Sequence, residues 1–206
     1  MSPIDKITEL FTKFPGIGPR QARRFAYFLL SKDPAFIRDF SESLEKLRAE
    51  MTQCRSCFRF FQKHQAEETN CSICSDTLRE KSSLLIVEKD VDLENIYRSG
   101  IWNGQYFILG GTIPVLEKDP SRKIRSKELF SSIQERAQGG ELQEIVLATS
   151  ASTEGENTAN YLLRILSPLA EKYSLKLTLL GRGISSGTEL EYSDSETLKN
   201  AIQNRR

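Results

Sequence analysis

Four cysteines carry the clearest chemistry in the chain. They fall as Cys54-x2-Cys57 and Cys71-x2-Cys74, with 13 residues between the pairs. Each CxxC step folds into a tight knuckle presenting two thiolates to one ion, and two knuckles complete a tetrahedral shell. Four thiolates leave no position for water, so the expected ion is a structural Zn2+, one per chain, and not a catalytic one. Two alternatives stand beside it. One is a pair of disulfides, the other a thioredoxin-like redox CxxC, which needs a single pair beside a βαβ unit. His64, the sole histidine, lies between the pairs and reads as a loop residue, because four cysteines already fill the shell. With one histidine, a His-rich metal site and a His-based triad are both disfavoured.

A second group of residues suits anions. In FPGIGPRQARRFAYFLL (residues 14–30), Gly16 and Gly18 let the chain turn tightly between two helices and leave backbone N–H groups pointing outward. The following helix adds its unsatisfied first amides and the positive end of its dipole, which together make a pocket for a phosphate. Arg20, Arg23 and Arg24 stand at i, i+3 and i+4, within one arc about 100° wide. Ala22, Phe25, Ala26 and Leu29 occupy the other side, and Tyr27 shares the arginine arc, where it could stack on a base or sit half-buried with a wet hydroxyl. The chemistry expected is DNA phosphate binding without sequence preference, since phosphates carry no base information. The plain alternative is an αα-turn with a solvated basic face.

A third group is acidic. Glu88 ends the run LLIVE, and Thr149–Glu156 (TSASTEGE) follows another apolar run and opens a helix. Carboxylates at strand ends beside a helix start resemble a metal-dependent phosphoryl-transfer site. Equally, Glu154 and Glu156 could simply stabilise the helix start of an ordinary βα-loop.

The elements that must hold these groups follow from periodicity. Residues 4–13 space Ile4, Ile7, Leu10 and Phe11 as an amphipathic helix. A second helix is predicted from about Pro19 to Leu30, and Phe36, Phe40, Leu44 and Leu47 space a third. From Ser83 the character changes. Apolar runs at 84–87, 106–109, 144–148 and 175–180 alternate with helical segments at Leu93–Tyr97, about 126–137, about 155–173 and about 195–204. That alternation predicts an α/β unit with a mostly parallel sheet. The fold class expected is α/β, with a helix-hairpin-helix head over 1–52, a four-cysteine zinc finger over 53–78, an α/β body over 79–180 and a C-terminal segment over 181–206 ending in a helix.

Composition bounds the rest. The 206 residues carry 29 Lys and Arg against 28 Asp and Glu, a net charge of +1. That excludes a polybasic nucleic-acid tail and a charge-driven disordered chain. The net value hides a gradient: +4 over 1–60, −5 over 61–160 and +2 over 161–206. Such zoning suggests parts with different partners, or only fluctuation among solvated faces. No apolar run approaches the roughly 18–20 residues that span a bilayer. MSPIDKITELF lacks the charged and apolar regions of a secretory signal, so a reducing cytoplasm is expected.

In its full length the chain resembles the RecR family of bacterial recombination mediators. The resemblance rests on FPGIGPRQARRFA, on the two CxxC pairs, and on a Toprim-type body read from LLIVEKDVDLENI, YFILGGTI and EIVLATSASTEGENTANYL, followed by GRGISSGTELEYSDSETL. It implies a non-enzymatic role in DNA repair and homologous recombination. In that role a ring-like homodimer or homotetramer binds single-stranded and duplex DNA. It acts with RecO and RecF at gaps, and helps RecA load onto DNA covered by single-stranded DNA-binding protein. It implies Arg20 and Arg24 as the DNA-contacting pair, the four cysteines as zinc ligands, and Glu88 and Glu154 as retained Toprim acids in the region where RecO docks. It also implies a cytoplasmic protein that joins the nucleoid during repair, and oligomer contacts from the C-terminal segment.

Two departures qualify the resemblance. Catalytic Toprim proteins carry Asp-x-Asp where this chain has Ser150 and Ser152, and serine is a poor Mg2+ ligand. No tyrosine is placed as a topoisomerase nucleophile. An Mg2+-dependent Toprim enzyme of the nuclease or primase type is therefore the alternative, and a zinc-bearing adaptor without DNA contact is a third reading. The second departure is the loop PVLEKDPSRKIRSKEL, where the family's usual Gly-rich turn is replaced by Lys118, Arg122, Lys123, Arg125 and Lys127. Arg122, Lys123 and Arg125 are expected to add phosphate contacts there.

Overall fold

Helix-starting prolines punctuate the first fifty residues. In a computed structural model of the chain, α1 (Pro3–Thr12), α2 (Pro19–Leu30) and α3 (Pro34–Glu50) each begin on one. The structure describes all residues except Arg182, Ser185, Ser186, Thr188, Asp194 and 204–206, together with the side chains of Glu196 and Gln203. It divides into two units, Met1–Met51 and Thr52–Arg206.

In the first unit, side chains close two of the three helix starts. Ser2 Oγ accepts from Asp5 N at 3.2 Å, and Asp33 Oδ1 accepts from Phe36 N at 2.9 Å. Helix α1 packs on α2, with the Phe11 and Phe25 rings edge to face at 5.6 Å. Ala22 and Ala26 are the buried residues of α2, while α1 and α3 bury none. The stripe that predicts α3 is therefore real in spacing, but Phe36, Phe40, Leu44 and Leu47 all stand exposed.

The second unit is built on a parallel four-stranded sheet, ordered β4-β3-β5-β6: β3 (Ser83–Val87), β4 (Gln105–Ile108), β5 (Glu144–Ala148) and β6 (Lys176–Leu179). Leu84 lies opposite Gln105 on one side and Ile145 on the other. Alternation along these strands separates two cores. Leu84, Ile86, Phe107 and Ile145 join α6 (Ser126–Gln138) and α7 (Thr153–Tyr173). Leu85, Val87, Tyr106 and Ile108 join α5 (Asp90–Ser99) and the cysteine segment, which supplies Cys54, Cys57, Cys71 and Ile73. That segment holds two short paired strands, β1 (Met51–Gln53) and β2 (Phe60–Gln62), and a single helical turn, α4 (Ser72–Ser75). The cysteine module is thus one cover of the sheet. A last helix, α8 (Ser195–Gln203), follows in the C-terminal segment. Among the described residues, no helix is long and apolar enough to cross a membrane.

Several links fasten the module to the sheet. Cys57 O accepts from Ile108 N at 2.9 Å, and Asp90 Oδ1 accepts from Phe60 N at 2.8 Å. Arg79 is buried just beyond the second knuckle. Its Nη2 donates to Trp102 O at 2.9 Å and its Nε to Gly104 O at 3.3 Å, and its guanidinium lies 5.6 Å from the Tyr97 ring centre and 5.4 Å from that of Tyr106.

Candidate functional site

The four sulfurs converge. The Sγ atoms of Cys54, Cys57, Cys71 and Cys74 all lie within 4.8 Å of one another, and the Cys57–Cys71 separation is 3.7 Å. A tetrahedral zinc with bonds of about 2.3 Å needs sulfurs about 3.8 Å apart, so the donor set fits such an ion. All four cysteines are free, so neither pair forms a disulfide. Local hydrogen bonds hold the knuckles. Cys71 N donates to Cys54 Sγ at 3.3 Å, and Phe58 N to Cys54 O at 3.0 Å, with Phe58 itself at φ +64°. Hydrogen bonds from Cys57, then Cys71 and Cys74, hold the Cys54 thiol far below its ordinary value, while Cys54, then Cys71, push Cys57 up and Cys54, then Cys57 and Cys71, push Cys74 up. Four thiols this close cannot all ionise unless a cation shares their charge. His64 is exposed and stands apart from the cluster, its amide bonded to Glu68.

The hairpin brings its cations to the surface. Gly16 has φ +76°, a conformation that favours glycine, whereas Gly18 has φ −82° and needs no such freedom. What Gly18 provides is space. A Cβ there would meet nothing within 4 Å, and no side chain caps α2. Pro19 lacks an N–H and the Ala22 amide bonds Gly18 O, so the amides of Arg20 and Gln21 are the open donors. Arg20, Arg23 and Arg24 are all exposed. They are not equivalent: Arg23 Nη2 lies 3.2 Å from Asp5 Oδ1, while no carboxylate pairs with Arg20 or Arg24 among the described residues. Nothing local in the sequence signals the Arg23–Asp5 pair, which spans 18 positions. Tyr27 is 58% exposed, more open than a half-buried ring.

The acidic residues of the α/β unit are brought near one loop but do not form a cluster. Glu88 is buried, and its Oε1 accepts from Ser150 N at 2.7 Å. Glu154 accepts from the Thr112 hydroxyl at 2.9 Å. The hydroxyls of Ser150 and Ser152 share a 2.8 Å hydrogen bond, and Ser152 also accepts from Gly155 N to cap α7. Among the described residues, the cysteines are the one grouping of three or more side chains that could hold a metal. The loop after β4 is latched to α7 by Ile113 N on Thr158 Oγ1 and Asn157 Nδ2 on Ile113 O, contacts that sequence reasoning missed. A trace of them is the doublet Gly110-Gly111, both with left-handed φ.

Comparison with known proteins accounts for this arrangement. Residues 4–48 match the family described as RecR, helix-hairpin-helix, residues 82–180 the Toprim domain, and residues 183–206 the family described as RecR, C-terminal. A protein named Recombination protein RecR from Dehalococcoides mccartyi is 36% identical over 202 residues, covering 98% of this chain and 93% of that one. Proteins of the same name from Mycolicibacterium vanbaalenii and Prochlorococcus marinus are 35% and 34% identical, covering 99% and 98% of this chain and 97% and 95% of their own lengths. A helical hairpin, a Toprim sheet and a C-terminal segment in one order, with identity spread over nearly the whole length, place the chain in the RecR family.

Proposed function

We propose that the chain is a DNA-binding mediator of recombination and repair, and not a catalyst. The observation that carries this reading is the hairpin. Arg20 and Arg24, exposed and with no carboxylate partner among the described residues, stand on the first two turns of a helix whose start no side chain caps, a combination that suits backbone phosphates. The relatives' name, Recombination protein RecR, points the same way.

The finer reading is a homodimer or homotetramer that closes around DNA. It acts with RecO and RecF at single-stranded gaps in the cytoplasm and helps RecA load onto DNA covered by single-stranded DNA-binding protein. Self-association is supported by the exposed apolar stripe of α3, and the C-terminal segment over 181–206 is assigned to oligomer contacts. Gly16, Gly18, Arg20, Arg23 and Arg24 are the DNA-binding residues, with Arg23 the weakest contributor because Asp5 already holds it. The cysteines hold one Zn2+ as a structural tie within the α/β unit. Glu154 belongs to a partner surface; Glu88, which the resemblance places there too, is buried and holds the Ser150 amide, so its role is structural.

The test is binding to gapped DNA by the native chain and by Arg20→Ala/Arg24→Ala. Removing two phosphate contacts is expected to lower the slope of log affinity against log salt by about 1.4–1.8. Equal affinity in both proteins would sink the hairpin assignment. Mg2+-dependent cleavage or primer synthesis that Glu88→Gln abolishes would replace the mediator with an enzyme.

A further inference from the structure

The loop between β4 and α6 and the first turn of α6 carry Lys118, Arg122, Lys123, Arg125 and Lys127 against Glu117, Asp119 and Glu128. Geometry sorts these cations into two sets. Arg122 Nε lies 2.9 Å from Asp119 Oδ2, and Lys123 Nζ lies 3.2 Å from Glu117 Oε2. Both acids are held below the usual carboxylate range, Asp119 first by the Ser121 hydroxyl and Glu117 first by the Asp119 amide, so they remain ionised partners. Arg122 and Lys123, expected from sequence to reach phosphates, are therefore already engaged. Lys118, Arg125 and Lys127 have no carboxylate within ion-pair distance among the described residues.

Arg125 is also fixed in place. Its Nη1 donates to Ile108 O at 3.0 Å, its backbone N donates to Leu109 O at 2.9 Å, and its guanidinium sits 5.3 Å from the Phe58 ring centre. Gly110 makes the room: at φ +91° a Cβ would come within 2.5 Å of Arg125 Nη1. The guanidinium forms part of a cavity of about 520 Å³, lined also by Gly110, Lys123 and Lys127, by Glu128, and by Asp119 with its partner Arg122. The cavity opens just past the carboxyl end of β4, the side on which parallel sheets take ligands. Helix α6 starts there without a side-chain cap.

We propose that this cavity is a second phosphate site, which takes a phosphodiester of a bound nucleic-acid strand. Arg125 offers a planar fork with four of its five donors still available, oriented before any ligand arrives. Lys127 of the lining, and the exposed Lys118 next in the chain to Asp119, supply mobile charge. Asp119 stays on Arg122, and Glu128 marks the side that the anion avoids. The proposal rests on the DNA-binding reading above, and it adds a contact far in sequence from the hairpin.

The experiment compares the full-length native chain with Lys118→Gln/Lys127→Gln and with Arg20→Gln/Arg24→Gln, measuring single-strand affinity from 50 to 200 mM salt. Both lysines are exposed, and thermal melts verify that the fold is unchanged. The lysine variant is expected to lose about 1.4 from the salt slope, at about 0.7 per contact. The Arg125 side-chain NMR signal is expected to shift when the strand is added to the native chain. An unchanged slope and an unmoved Arg125 signal, with binding still lost in the hairpin variant, overturn the second site and leave the hairpin reading standing. Inorganic phosphate that shifts the Arg125 signal while the slope stays unchanged overturns it in favour of a small-anion pocket. A native chain that binds no strand overturns the DNA reading itself.

Discussion

The two units hold their apolar residues in opposite ways. In the α/β unit the sheet buries both faces, with Leu84, Ile86, Phe107, Leu162 and Leu166 fully covered on one side and Val87, Leu93 and Tyr106 on the other. In the helical unit Ala22 and Ala26 are the only buried residues of the three helices, while Phe14, Phe28, Leu30, Phe36, Phe40, Leu44 and Leu47 face outward. One unit completes its core from its own elements. The other spaces its apolar side chains as a core would, yet leaves them open, the condition expected of a surface that finishes against another copy. On the proposed function, stability and nucleic-acid recognition are thereby divided: the unit bearing the arginine hairpin is the one with least to hold it alone.

The strongest test of that division acts on the cysteines. A closed zinc shell is worth on the order of 10 kcal/mol in small domains. Cys57→Ala is expected to abolish the proposed zinc binding and collapse hydrogen-exchange protection in the α/β unit, while protection in α1 and α2 changes little. Equal loss in both units would erase the contrast. A smaller effect separates Leu162 from Leu44. Leu162 is fully buried in α7, so Leu162→Ala is expected to lose about 2–5 kcal/mol by chemical denaturation. Leu44 is 51% exposed, so Leu44→Ala should leave a dilute chain within about 0.5 kcal/mol of native and instead shift its mass at high concentration. A loss as large as that of Leu162→Ala in a dilute monomer would show that the helical unit has a hidden core. The smallest effects lie at helix starts. Ser152→Ala removes the cap of α7 and is expected to cost about 1 kcal/mol. In the helical unit the Phe36 amide, foremost among its contacts, holds the Asp33 carboxyl below its usual range. A depressed carboxyl stabilises above its unfolded pKa and loses that contribution as pH falls through the folded value. Asp33→Asn, which keeps a capping oxygen, should flatten the acid limb of the unfolding curve of that unit and barely alter neutral stability.

Local signals explain what was legible in the sequence. Helix α2 runs from Pro19 to Leu30 as expected, because Pro at the first position and Lys32-Asp33-Pro34 after the end are both short-range instructions. The cysteine pairs converge because each knuckle is closed by its own backbone. The parallel sheet follows from apolar runs separated by helices. What stayed hidden depends on residues far apart. Periodicity places Phe36, Phe40, Leu44 and Leu47 on one stripe but is silent on whether anything covers it. Glu88 looks like a free strand-end carboxylate until the Ser150 amide, 62 positions away, is found against it. Arg23 and Arg24 read alike on a helical wheel, yet Arg23 pairs with Asp5 while Arg24 Nη1 donates to Gln21 Oε1 at 3.4 Å.

The hold on Ile108 has a consequence of its own. Strand β4 is an outer strand, and both backbone groups of Ile108 are taken: its N–H by Cys57 and its carbonyl by the Arg125 guanidinium. An unpaired strand edge is a template on which a stray strand can add and grow. The knuckle and the arginine therefore act as a guard against mispairing between chains. If the knuckles hold the proposed zinc, a chelator would loosen the Cys57 carbonyl from Ile108 and expose that edge, so a chelator-treated chain should clump into strand-rich aggregates before its α/β unit has fully melted.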